Sequence, residues 1–176
     1  KEEAKKCFEK VIKTNPNHTE ANNNLGTIFR ELKKFRKAKY YVEKAIQNNP
    51  NHSGSYFNLG FIFQELGQSE KAAKNYQKAI QIKPDYFDAH NNLMEIYEST
   101  NQDEKLKQAI FKAESLIKND PIINLFKGRI FYKNDKIHDA IKILEPISFQ
   151  NNKIIPEQTR LLILAKCYDR IKNVRL

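Results

Sequence analysis

The stretch SGSYFNLGFIFQELGQSEKAAKNYQKAIQIKPDY, Ser53 to Tyr86, decides the fold, because its wording returns every 34 residues. Pro84 follows Pro16 and Pro50 at that step. Ala72 repeats Ala4 and Ala38 and, past Leu106, returns at Ala140. Leu59 matches Leu25 and Leu93, and Gly60 matches Gly26 and, past Met94, Gly128. Phe63 belongs with Phe29, Tyr97 and Phe131, and Ala79 with Ala45 and Ala113. Six rows in one register mark a repeat array. In such arrays each unit buries its apolar face only against its neighbours.

Each unit holds two helical patterns. In the copy before Ser53 the first runs from Thr19 to Lys33, with Ala21, Leu25, Ile28, Phe29 and Leu32 on one helical stripe. The second runs from Arg36 to Asn48 and carries Ala38, Tyr41, Val42, Ala45 and Ile46. Asn17 ahead of Glu20, and Asp85 ahead of Asp88, read as N-cap acceptors. Proline follows each second helix, where the helix must stop. Glycine inside a helix costs roughly 1 kcal/mol. Gly26 and Gly60 therefore predict a neighbouring helix too close for any side chain.

The pattern resembles the tetratricopeptide repeat (TPR), through Tyr56, Leu59, Gly60 and Phe63 in the first helix and Ala72, Tyr76, Ala79 and Pro84 in the second. The expected fold is all-α: a TPR superhelical solenoid of antiparallel helix pairs, about ten helices in a single array over residues 1–176. Residues 1–18 match a second helix alone, through Ala4, Phe8 and Pro16. Repeats follow at 19–52, 53–86, 87–120 and 121–154, and residues 155–176 form the first helix of a truncated repeat. The later copies drift, with Met94 for Gly, Leu106 for Ala, Lys118 for Pro and Lys127 for Leu. Between Gln150 and Pro156 the register gains about three residues, after which Leu164, Ala165 and Tyr168 mark the last helix.

Composition narrows the function. The 176 residues carry 31 Lys plus Arg against 21 Asp plus Glu, a net charge of +10, and are 40% apolar, which suits a globular chain. The longest apolar run, Leu161 to Ala165, is far short of the ~20 residues of a membrane helix. No phosphate loop, H-E-x-x-H, C-x-x-C or G-x-S-x-G motif is present, so no enzyme, metal or cofactor is expected within these residues. His18 and His52 recur with the repeat and do not converge on an ion. Cys7 and Cys167 read as small buried hydrophobes. Unpaired thiols fit a cytoplasmic location.

One constellation stands out. Asn24, Asn58 and Asn92 share a repeat position within ANNNLG, SYFNLG and AHNNLM. An amide offers two donors and an acceptor, which can bracket a peptide bond whatever the side chain beside it. By the TPR resemblance this position points into a concave groove lined by the first helices. The AHNNL wording is similar to the TPR arrays of O-linked N-acetylglucosamine transferases. The expected peptide site is Asn24, Asn58 and Asn92 with Asn23, Phe57, Phe61, Asn91 and Glu95 beside them. Phe57 and Phe61, one turn apart, suggest a pocket for a partner side chain. In a competing structural account the amides only tie helices together.

The family's other binding mode clamps a chaperone-tail carboxylate with cations. Here the corresponding positions hold Glu20, Gly54, Asp88 and Asn92, which disfavours it. First-helix segments 19–33, 53–66 and 87–99 sum to 0, −1 and −3, against +4 and +3 for 34–48 and 70–84. That distribution argues against nucleic acid, which needs a connected basic surface with Arg or aromatic contacts. The resulting expectation is a scaffold for a protein or peptide segment, with neither nucleic acid nor membrane as partner. The rival reading is the substrate-recruiting arm of a larger transferase, a sulfotransferase or glycosyltransferase, motivated by ends that fall within repeats. A homodimer through uncovered apolar surface is the third.

Overall fold

The computed structural model describes residues 2–118, 120–147 and 154–174. Among them are ten α-helices and no strand: α1 Glu2–Thr14, α2 Thr19–Glu31, α3 Phe35–Asn48, α4 Ser53–Glu65, α5 Ser69–Ile82, α6 Phe87–Ser99, α7 Asp103–Leu116, α8 Pro121–Lys133, α9 Ile137–Leu144 and α10 Ile154–Val174. The fold class is all-α, of the helical-repeat type. The chain divides within α6 into two compact units, Lys1–Ile96 and Tyr97–Leu176. The expected register change near Gln150 centres on residues 148–153, outside the described residues.

In the first unit α2 packs on α3 and α4 on α5, and the alanine row is what lets them close. Ala38, Ala45, Ala72 and Ala79 are fully buried. A Cβ added at Gly26 would sit 2.3 Å from Val42 Cγ2 and 3.2 Å from the Ala38 carbonyl oxygen. At Gly60 it would meet the Tyr76 ring at 2.8 Å, and at Gly128 of the second unit the Leu144 side chain at 2.4 Å. The glycines are where the second helix crosses against the first.

A further row emerges at the turns between paired helices. Lys33, Gly67, Asn101 and Asp135 all have positive φ, 56°, 70°, 54° and 59°, and stand 34 residues apart. Each closes its helix with the same pair of bonds. At the first, the Lys33 N–H donates to the Arg30 carbonyl at 2.8 Å, and the Lys34 N–H to the Phe29 carbonyl at 2.8 Å. This is the left-handed C-terminal cap that satisfies carbonyls the helix leaves open.

Helix starts correct the expected caps. His18, not Asn17, caps α2, its Nδ1 accepting from the Ala21 N–H at 3.3 Å, and His52 caps α4 through the Ser55 N–H at 3.2 Å. The 34-residue recurrence of these histidines is a capping row. Asp85 lies two residues ahead of α6, and the described structure gives it no cap bond. Leu32, expected on the buried stripe, is 43% exposed because it follows the last turn of α2.

In the second unit, Leu125, Ala140, Leu144, Ile147, Ile163, Leu164 and Cys167 form a core that seats α10. Leu164, Ala165 and Tyr168, expected to mark the last helix, lie on α10, where Ile163, Leu164 and Cys167 point inward and Ala165 and Tyr168 are exposed. Cys7 is exposed, against expectation, because α1 buries none of its residues completely. Lys127 stands in the leucine row, and an ammonium cannot stay in a core. It reaches Glu114 at 2.6 Å and lines a cavity of about 580 Å³ with Ile110 and Phe131.

Candidate functional site

The asparagine row lies on the first helices of the repeats, and the structure gives its members different surroundings. Asn58, on α4, is buried and fully used. Its Nδ2 donates to Asn23 Oδ1 at 2.8 Å and to Thr27 Oγ1 at 3.0 Å, and its Oδ1 accepts from Arg30 Nη1 at 3.2 Å. Ser55 Oγ adds a bond to Asn23 Oδ1 at 3.2 Å, so this cluster ties α2 to α4.

Asn92, on α6, donates through Nδ2 to the Tyr76 hydroxyl at 3.0 Å, and that hydroxyl donates to Gln64 Oε1 at 2.8 Å. Its Oδ1 stays open. The side chain of Asn24 is half-buried and makes no bond among the described residues. Asn91 keeps a buried Oδ1 without a partner, and Glu95 is exposed.

The two phenylalanines are not an open pair. Phe57 stacks on Tyr86 with centroids 5.0 Å apart and leans on Tyr76 at 5.7 Å. Phe61 lies under the Arg30 guanidinium, 4.4 Å from its centroid. Burial pushes the Tyr76 hydroxyl well above its ordinary pKa; the Asn92 hydrogen bond opposes this and the Glu95 charge adds to it. Tyr76 is therefore a neutral strut, at once donor and acceptor, beneath the polar row.

Arg30 was missing from the sequence-derived set. Its repeat equivalents are Gln64 and Glu98, so no row draws attention to it. In the structure it is half-buried, stacked on Phe61, held by Asn58, and has no carboxylate partner among the described residues. A guanidinium fixed this way offers its remaining N–H donors in a set direction, suited to a carboxylate or a peptide carbonyl. Among the described residues no group of three His, Cys, Asp or Glu side chains could hold a metal ion, and no helix is long and apolar enough to cross a membrane.

Family models described as tetratricopeptide repeat match residues 1–18, 19–52 and 41–74, and one described as TPR repeat matches 62–100. Together they span residues 1–100. No curated protein matches the chain. Among solved structures, MamA superposes with a TM-score of 0.71 at 19% identity, covering 94% of this chain and 89% of its own. YrrB, described as a TPR protein with an unusual peptide-binding site, gives 0.76 at 15% identity over 94% and 84%. The APC/C hetero-tetramer Cut9–Hcn1 gives 0.73 at 15% identity, over 94% of this chain and 32% of that one. At these identities the likeness is one of fold.

Proposed function

We propose, for a chain that belongs to the tetratricopeptide-repeat family, that its first unit is a protein-interaction scaffold receiving an extended peptide on the α2, α4 and α6 face. The observation that carries this reading is Arg30, stacked on Phe61, hydrogen-bonded to Asn58 and without an acidic partner among the described residues. Holding a cation fork in place costs side-chain entropy, and a partner gains from that ordering because it need not supply it. Asn24 and Asn92 stand on the same helix row with acceptor and donor capacity left for a backbone. Asn23 and Asn58 act behind them, as the tie that sets the fork's direction. YrrB, a structural neighbour described by its peptide-binding site, is consistent with this use of the fold.

The test is a peptide array probed with wild type, Arg30→Ala, Arg30→Lys and Asn24→Ala/Asn92→Ala. A charge-assisted hydrogen bond contributes about 1.5–3 kcal/mol, so Arg30→Ala is expected to weaken binding at least ten-fold. Arg30→Lys keeps the charge, loses the planar fork, and recovers little. The double asparagine variant should weaken peptides of unrelated sequence by similar factors, since it removes backbone contacts. Undiminished binding by both folded variants would sink the proposal. Asn58→Ala is the structural control, expected to cost about 1–3 kcal/mol of stability by leaving Asn23, Thr27 and Arg30 short of a partner.

A further inference from the structure

On the second-helix side of the first unit, α1 and α3 enclose a groove of about 610 Å³. Lys6, Lys10 and Lys13 line it from α1 at i, i+4 and i+7, one face of that helix, and Lys44 lines it from α3. Glu9 is the single acid of the lining. It is engaged by Lys5, which also pairs with Glu2 at 3.0 Å. None of the four groove lysines has a carboxylate partner among the described residues. Like charges three and four residues apart weaken a helix, and α1 has no fully buried residue to compensate.

The floor is aromatic and amphipathic. Tyr40 is 53% exposed and meets Tyr41 edge-on at 5.1 Å, with Lys44 Nζ 5.2 Å from the Tyr40 centroid. Asn22 is completely buried in the wall. Its Nδ2 is fixed by the carbonyls of Pro16 and His18 at 3.0 and 2.9 Å, and its Oδ1 has no partner. The groove thus combines four lysines that make no ion pair among the described residues with an exposed tyrosine ring.

We infer that the α1–α3 groove docks an acidic peptide segment, its carboxylates on Lys6, Lys10, Lys13 and Lys44 and an apolar or aromatic side chain on Tyr40. Charge complementarity selects the acids. Lysines without arginine supply point charges in place of forks, which suits carboxylates spread along an extended chain. This face differs from the α2, α4 and α6 face, so the two readings stand or fall separately.

The test is fluorescence anisotropy with three probes of equal length: a peptide of alternating Glu and Phe, its Gln counterpart, and single-stranded DNA. The proteins are wild type, Lys6→Gln/Lys10→Gln/Lys13→Gln, Tyr40→Ala, and a control of equal charge change on exposed α5 positions, Lys71→Gln/Lys74→Gln/Lys78→Gln. The groove triple variant should weaken the acidic peptide about ten-fold, the control less than about two-fold. Tyr40→Ala, which leaves α1 untouched, should also weaken it, and the Gln peptide should bind poorly to every protein. Equal losses in both triple variants would reduce the binding to net charge and overturn the proposal. DNA bound as tightly as the acidic peptide, with the same groove dependence, would overturn it in favour of nucleic acid. Acidic-peptide binding that falls with Arg30→Ala and survives the groove triple variant would move the contact to the other face and overturn it too.

Discussion

Lys33 holds a φ of 56° at a turn where Gly67 serves the next repeat. A side chain in the left-handed region costs roughly 1–2 kcal/mol against right-handed backbone, and glycine escapes most of that. Lys33→Gly is therefore expected to stabilise the first unit by about 1 kcal/mol, read as a higher denaturation midpoint. Gly67→Lys should destabilise it similarly, although an added Cβ there would meet nothing within 4 Å. Equal midpoints for all three proteins would contradict the strain. Tyr76 makes the second residue-scale prediction. Its raised pKa comes first from burial, so the unfolded phenol ionises from about pH 10 while the folded one stays neutral. Its contribution is full below pH 10 and shrinks as pH rises beyond it, by ~1.4 kcal/mol per pH unit. Near-ultraviolet titration of Tyr76→Phe should lose one late-ionising tyrosine of the eight.

The helix pair is the next scale. Gly60→Leu must displace the buried Tyr76 ring, and overpacking of this kind costs about 1–3 kcal/mol or more. Lys74→Leu, on the exposed face of α5, should change the thermal midpoint little. Similar small shifts for both would mean that the close crossing at Gly60 does not hold α4 to α5. The pairs were readable from sequence because a crossing point restricts side-chain size, and size leaves a row of Gly and Ala at a constant step. The turn row escaped because its constraint is on backbone angle, met by Lys, Gly, Asn and Asp alike. The asparagine row was visible as a row, but its use was not. Whether an amide faces solvent or a neighbour depends on what the adjacent helix presents, here Asn23, Thr27 and Arg30. Arg30 itself does not repeat, and periodicity is blind to it.

Across the whole chain a net charge of +10 is unevenly shared. The first-helix segments are neutral to acidic, while 34–48 and 70–84 sum to +4 and +3. The two proposed docking faces therefore differ in kind, one a nearly neutral row with a single fixed guanidinium, the other a cationic groove. Added salt should separate them: acidic-peptide binding at α1–α3 should fall steeply as the Debye length shrinks, while contacts made by neutral amides should persist.

The crossings at Gly26 and Gly60 also bear on how the chain behaves under tension. At Gly26 the two helices meet nearly backbone to backbone and at Gly60 the Tyr76 ring packs directly on the α4 backbone, so a pulling force on the ends meets more resistance inside a pair than along the links around Pro50 and Pro84. Stretched in an optical trap, the first unit should lengthen by whole repeats. Each release of 34 residues would add roughly 110–120 Å of contour. Gly60→Leu, by prising α4 from α5, should split one such jump into two smaller ones at lower force.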